Sequence, residues 1–185
     1  MKNKTDLKKH LPKIKTSKIV LKPLIESGGK GIQIINKKDA LSQAIIDRPY
    51  LIQDFIDSSF GVPGINHGMH DLRLVFINDK VIYSYIREPA KGSYLANLSQ
   101  GGCLKIVPKN KLPKSLLPII KQVNELFATF EPRIYSIDFM FDEKKKPWIV
   151  ELNSMPGLFF TSEEKPYMLE MYKELLDVFK KTLSL

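Results

Sequence analysis

Asp138, Glu151 and Asn153 are the residues whose types and spacing most plainly suggest chemistry. They sit in two apolar runs, SIDFMF (136–141) and PWIVELN (147–153), separated by the charged stretch EKKK (143–146). A hairpin turning on EKKK pairs Asp142 with Pro147, Met140 with Ile149 and Asp138 with Glu151. Side chains alternate faces along a strand. One face then carries Ile137, Phe139, Phe141, Trp148, Val150 and Leu152, an apolar core face. The other carries Asp138, Met140, Ile149, Glu151 and Asn153, with the amide one step beyond the two acids. Carboxylates directly across a ladder stand roughly 5 Å apart and repel, which raises at least one pKa unless a cation lies between them. Oxygen donors of this kind suit Mg²⁺, while the lack of a nearby histidine or cysteine argues against zinc. The other reading of this hairpin is a solvated polar face with both acids paired to lysines.

Two further groups invite attention. Lys22 ends the apolar run KIVLKP, and Ser27, Gly28, Gly29, Lys30 and Gly31 follow before the next apolar run. Glycines let backbone N–H groups close over phosphate oxygens, and lysine adds positive charge. The spacing is not that of a Walker loop, and a plain flexible hairpin tip is the competing reading. In DLRLVFINDKVIYSYIR, Asp71 and Arg73 share a strand face. A two-residue turn sends Arg87 to the opposite face, and a three-residue turn (78–80) sets it across from Asp71. Only the second arrangement builds a basic wall able to bind phosphate or carboxylate with paired hydrogen bonds; the alternative is a structural Asp71–Arg73 or Asp71–Arg87 ion pair. His67 and His70 lack partners for a metal or catalytic role and read as loop residues. Cys103 reads as buried packing.

The elements that must position these groups form an α+β pattern of antiparallel hairpins backed by helices. A short helix spans 5–14, a strand covers 18–24, a glycine-rich turn over 25–35 leads to a second strand, and a helix over 37–48 with Asp39 as N-cap and a strand 50–56 follow. Residues 57–70 are a loop. Strands flank 78–80, a long loop covers 88–102, and an amphipathic helix spans 113–130 with Leu116, Leu117, Ile120, Val123, Leu126, Phe127 and Phe130 inward. The 134–153 hairpin and a closing helix over 163–183 follow, the latter seated through Met168, Met171, Tyr172, Leu175, Val178 and Phe179. The formal charge is +9, and residues 1–18 hold seven lysines against Asp6 alone, so an anionic partner is expected. Arginine–aromatic interleaving is missing, so nucleic acid is not expected. No apolar run is long enough to span a membrane, the first residues lack the apolar run of a secretory signal, and a lone cysteine fits a reducing, cytoplasmic setting.

Taken in order, VLKP with SGGKG, LIQDFI, DLR, Arg87 with Asn97 and Gly101-Gly102, SIDF and ELNSMPGL resemble the ATP-grasp superfamily. The likeness is to its carboxylate–amine ligase branch, near glutathione synthetase and the ribosomal-protein glutamate ligases, and covers about residues 18–160. It implies two lobes of antiparallel sheet with helices gripping a nucleotide: a basic segment 1–17, a small lobe 18–56 with flap and hinge strand, and a larger lobe 57–185 with the metal site. It implies ATP with Mg²⁺ or Mn²⁺. Lys22 and the 27–31 loop would contact phosphates. Gln53, Asp54, Phe55 and Ile56 would form the hinge reading adenine, and Asp71 would lie near the ribose or the site wall. Arg87, Asn97 and Arg73 would serve the transferred phosphoryl group or the substrate carboxylate. Asp138, Glu151 and Asn153 would hold the metal, with Glu151 bridging. The implied activity is an ATP-dependent carboxylate–amine or peptide ligase working through an acylphosphate; the alternative is a non-catalytic or partner-completed ATP-binding module. Two departures stand out. Only about 17 residues precede the first grasp strand, where relatives carry an N-terminal domain, so a fragment, a minimal form or a split enzyme completed by a protein partner is expected. Leu95 stands where relatives near this branch carry arginine.

Overall fold

The computed structural model describes residues 1–157, 162 and 164–183. Leu158 of the ELNSMPGL motif and Glu163, first residue of the expected last helix, lie outside the described residues. The chain divides into two compact units, Met1–Ile56 and Asp57–Leu185.

In the first unit, helix α1 (Lys4–His10) precedes strands β1 (Lys18–Pro23), β2 (Gln33–Asn36) and β3 (Tyr50–Asp54), with helix α2 (Ala40–Gln43) between the last two. The sheet order is β2-β1-β3, all antiparallel. Alternation along β1 sends Ile19 and Leu21 into a core with Leu7, Ile14, Ala40, Ala44 and Tyr50. Each leucine or isoleucine fully withdrawn from water there contributes roughly 1.5–3 kcal/mol. Residues 1–17 are therefore built into this unit through Leu7 and Ile14. Asn3 caps α1, its side chain accepting from Asp6 N–H. The helix expected over 37–48 shortens to α2. Asp39 sits at its N-cap position without a side-chain capping bond. Beyond it, Gln33 holds Ile45 in extended form, accepting from its N–H at 2.9 Å and donating to its carbonyl at 2.7 Å.

The second unit is a five-stranded sheet, in order β6-β5-β4-β7-β8. Its strands are β4 (Asp71–Ile77), β5 (Lys80–Glu88), β6 (Cys103–Ile106), β7 (Ile134–Phe141) and β8 (Pro147–Asn153). Helix α3 (Leu117–Phe127) covers one face, over Leu72, Leu74, Phe76, Ile137 and Phe139. Helix α4 (Lys165–Thr182) covers part of the other, over Val75, Ile77, Tyr83 and Tyr85. Both helices bury narrower stripes than their sequences suggest. Leu117, Leu126 and Phe130 at α3, and Tyr172 and Phe179 on α4, are exposed. Strand β6 was not legible as a strand, and Cys103 at its start is exposed rather than packed.

Two bulges set the registers. The β4–β5 turn has two residues, since Ile77 pairs with Lys80, yet Asp71 still pairs with Arg87. A bulge between Val75 and Phe76 inserts an extra β5 residue and restores the phase. In the β7–β8 hairpin Asp138 pairs with Glu151 as the sequence suggests. Beyond that pair the register slips: Phe139 faces Ile149, Met140 faces Trp148, and Phe141 rather than Asp142 faces Pro147. As the edge strand, β8 leaves Trp148 and Leu152 largely exposed instead of in a core face. Trp148 Nε1 instead donates to Asp142 at 2.8 Å, and the Lys146 ammonium lies over its ring.

Candidate functional site

Odd-numbered positions of β4 and β5 and even-numbered positions of β7 share one face of the larger sheet. α4 covers its apolar end, through Val75, Ile77, Tyr83 and Tyr85. Further along the same strands the side chains become Arg73, Asp71, Arg87 and Asp138. Arg73 lies across from Asp138 in the β4–β7 ladder and Arg87 across from Asp71 in the β4–β5 ladder. Arg73 donates through Nε to Asp138 Oδ1 at 2.6 Å and through Nη2 to Oδ2 at 2.5 Å. Arg87 Nη2 donates to the same Oδ2 at 2.9 Å and also to Asp71 Oδ2. Asp138 is buried, at 2% exposure, so two guanidinium groups supply the charge that keeps it there. The cations beside Asp138 are thus arginines, not the lysines of the solvated-face reading.

Burial, reinforced by the nearby Asp138 charge, pushes the Asp71 carboxyl up to about 7 despite its pairing with Arg87. Burial works against the Arg73 charge, but the bonds and charge of Asp138 outweigh it and hold Arg73 above its ordinary value.

Glu151 and Asn153 join this group by register, opposite Asp138 and Ser136 respectively. Ser136 joins the group as well, and its even spacing from Asp138 is the sequence signal that marks it. Four buried polar atoms here lack a partner among the described residues: Asp71 Oδ1, Arg87 Nε, Ser136 Oγ and Asn153 Nδ2. An unmade buried bond costs roughly 1–3 kcal/mol, so a polar ligand that satisfied them would gain on binding. A carboxylate has about four acceptor positions. Three on Asp138 are used, which leaves one on Oδ1 for a hard cation. The donor set of two carboxylates and an amide fits magnesium or manganese in chemistry and capacity. Among the described residues no group of three or more His, Cys, Asp or Glu stands placed to hold a metal. That leaves a two-acid set, of the kind that relies on substrate phosphates and water for its remaining ligands.

Asn97 is not joined to the four by any hydrogen bond among the described residues. It lies in the 89–102 loop, where its carbonyl accepts from Gln100 at 2.9 Å and Gly102 at 3.2 Å. Leu95, two residues earlier, is held by the Ser93 hydroxyl. A Cβ on Gly102 would lie 2.6 Å from the Ala96 carbonyl oxygen, so only glycine fits where this loop returns to β6. His70 is structural: its Nδ1–H serves the Ser58 and Gly68 carbonyls and its Nε2 accepts from Phe141 N–H at 3.1 Å. His67 is exposed.

In the first unit, Lys22 lies on the non-core face of β1, in register with Leu51, and Val20 with Gln53. Ile34 pairs with Val20 on the same face. An apolar patch of Val20, Ile34 and Leu51 thus adjoins Lys22 and Gln53. The segment from Ser27 to Gly31 is a turn whose bonds include two long ones, Lys30 N–H to Ser27 and Ile32 N–H to Gly29, both 3.3 Å. Gly28, Gly29 and Gly31 all take positive φ, of 65°, 77° and 71°. The expected 53–56 hinge is strand only to Asp54. The Asp54 carboxylate accepts from the backbone N–H groups of Lys15 and Thr16, and Phe55 N–H donates to the Thr16 hydroxyl.

The family model described as RimK-like ATP-grasp domain matches residues 1–178. The chain is 27% identical over 148 residues to a probable alpha-L-glutamate ligase 1 of Shewanella oneidensis, covering 76% of this chain and 43% of that protein. Among solved structures, it resembles the ATP-grasp ligase PsnB complexed with minimal precursor, Mg and ADP, with TM-score 0.53 and 13% identity, over 85% of this chain and 44% of that one. It also resembles D-alanine–D-alanine ligase from Bacillus anthracis complexed with ATP, with TM-score 0.54 and 16% identity, over 89% of this chain and 52% of that one. At such identities the structural likeness shows the fold. The chain spans about half the length of these proteins or less. With nearly its whole length matched by one family model and an architecture of two antiparallel sheets, this chain belongs to the RimK-like ATP-grasp domain family.

Proposed function

We propose that this chain carries the ATP- and magnesium-binding core of a ligase that joins a carboxylate to an amine. The observation that supports this reading most is the meeting of Arg73, Arg87 and Asp138 on one sheet face, across from Glu151. Lys22 and the 27–31 segment contact the nucleotide phosphates, and the backbone of 53–56 reads adenine. Asp138, Glu151 and Asn153 hold magnesium or manganese, which when bound supplies charge neutralisation at the phosphates. Arg87 and Asn97 meet the transferred phosphoryl group or the substrate carboxylate. Asp71 forms the site wall and keeps Arg87 aimed, while Arg73 fixes the Asp138 carboxylate. The Arg87 Nε, without a partner among the described residues, is a donor left for an incoming anion.

A substrate carboxylate oxygen attacks the γ-phosphorus, ADP departs, and an acylphosphate forms. The amine attacks its carbonyl carbon and loses a proton, and inorganic phosphate leaves the tetrahedral intermediate. This chemistry needs positioning and charge stabilisation, not a protein nucleophile. The relatives' name, glutamate ligase, and the net charge of +9 support glutamate or an acidic peptide among the substrates. The substrate side is completed by further polypeptide, in this protein or a partner. No helix among the described residues is long and apolar enough to cross a membrane, and the cytoplasm is the proposed setting.

Leu95 in place of arginine favours a second reading, a nucleotide-binding module without turnover. Mg-ATP supplied with glutamate or glutamyl peptides separates the two. Release of ADP and phosphate in step with product supports the ligase, and Glu151→Gln should lower it by roughly a hundredfold or more. Mg-ATP binding without release, whatever the acceptor, supports the module. Failure to bind Mg-ATP at all sinks both.

A further inference from the structure

Helix α4 carries two apolar stripes, and only one of them is used. Tyr167, Met171, Leu175 and Val178 seat it on the sheet. Leu169, Tyr172, Leu176, Phe179 and Leu183 recur at alternating spacings of three and four. At 3.6 residues per turn they fall within an arc of about 80° and run for roughly 21 Å. All five are exposed, at 61%, 52%, 54%, 53% and 64%. Charge differs on the helix's polar side. Glu170 and Glu174 point back to the body of the unit and pair with Lys109 and Lys80. Lys173 and Lys180 border the exposed stripe and have no ion-pair partner among the described residues.

We propose that this stripe docks an amphipathic helix of another polypeptide, one that carries acidic residues beside its own apolar seam. The three–four spacing is that of a helix–helix seam, and Lys173 and Lys180 select the partner's charge. A second copy of this chain fits less well. Antiparallel pairing about a two-fold axis would set Lys173 and Lys180 against the same lysines of the copy. A lipid surface also fits less well, because an arc of about 80° is narrower than the apolar face of helices that lie in a membrane interface. The inference rests on α4 alone and does not depend on nucleotide binding.

The test uses a fluorescein-labelled, 18-residue amphipathic helix with leucines at three–four spacing and glutamates on its flanks, and a twin with lysines instead. The glutamate probe should bind at least tenfold more tightly than its twin at low salt. Leu176→Gln with Phe179→Gln should abolish binding while circular dichroism stays unchanged. Lys173→Glu with Lys180→Glu, both on the surface, should invert the preference between twins. Equal binding of the twins, or none, overturns the proposal. So does a dimer in sedimentation that the Leu176→Gln, Phe179→Gln pair dissociates, or cosedimentation with phosphatidylglycerol vesicles that the same pair abolishes.

Discussion

The two units handle charge in opposite ways. Residues 1–56 hold twelve lysines and arginines against five acids, and most of these cations stand at the surface. Within their glycine-rich segment the turn bonds donated by Lys30 N–H and Ile32 N–H are both 3.3 Å, at the outer limit of hydrogen-bond length. The remaining residues hold 17 cations and 15 acids, nearly balanced, and four of these groups are locked together largely out of water: Arg73, Arg87, Asp71 and Asp138. One unit offers adaptable positive charge; the other offers a fixed frame whose geometry is settled before any ligand arrives. A frame built in advance costs no reorganisation during reaction, and a loosely held loop can close on what it binds.

The contrast is broken most strongly at Asp138. Asp138→Asn leaves two buried guanidinium groups short of their shared counterion. It should destabilise the 57–185 unit by about 3–5 kcal/mol in urea titration. A loss under about 1 kcal/mol would mean that the frame is not held by charge. Next comes the core of the other unit. Leu7→Ala should cost about 2–5 kcal/mol there, read as lost hydrogen-exchange protection at β1 and β3 amides. Unchanged protection would place residues 1–17 outside that core.

His70 sharpens the comparison through pH. Burial holds its pKa below the ordinary 6.5, with the Gly68 and Ser58 carbonyls only partly offsetting. Below pH 6.5 the unfolded chain takes a proton that the folded one resists. Stability is therefore full above that pH and falls beneath it, by at most about 1.4 kcal/mol per pH unit. His70→Gln should flatten the slope of urea midpoints between about pH 6.5 and 5. The smallest effect belongs to the glycine-rich segment. Gly31 has φ +71°, and a Cβ there would lie 3.0 Å from Pro23 Cγ. Gly31→Ala should cost about 1–2 kcal/mol of local strain, loosening Mg-ATP by roughly tenfold in calorimetry without moving the urea midpoint of the larger unit.

Much of the site was legible because β-structure alternates. Asp138 across from Glu151 follows from counting back from a charged turn, and it is found. Positions between that pair and the turn were lost to a single inserted residue, because each slip of one exchanges the faces. Arg87 is the clearest case. Turn length offered two outcomes, and the chain takes the short turn yet the face of the long one, because a bulge between Val75 and Phe76 intervenes. Helix stripes were legible as apolar but not as buried. Tyr172 and Phe179 share the periodicity of Met171 and Val178 without sharing their contacts.

By itself, the amino-acid sequence determined most of the segments that become strands and helices, β6 and the extent of α2 excepted, and which residue types lie within reach of one another, since alternation and turn chemistry are local properties of the backbone. Tertiary structure alone decided that both arginines converge on one carboxylate and that His70 is a buried clamp. It alone decided which of two apolar stripes on the last helix finds a sheet to cover it. Those outcomes depend on bulges and on packing between residues far apart in the chain, where no local pattern records which neighbour will arrive.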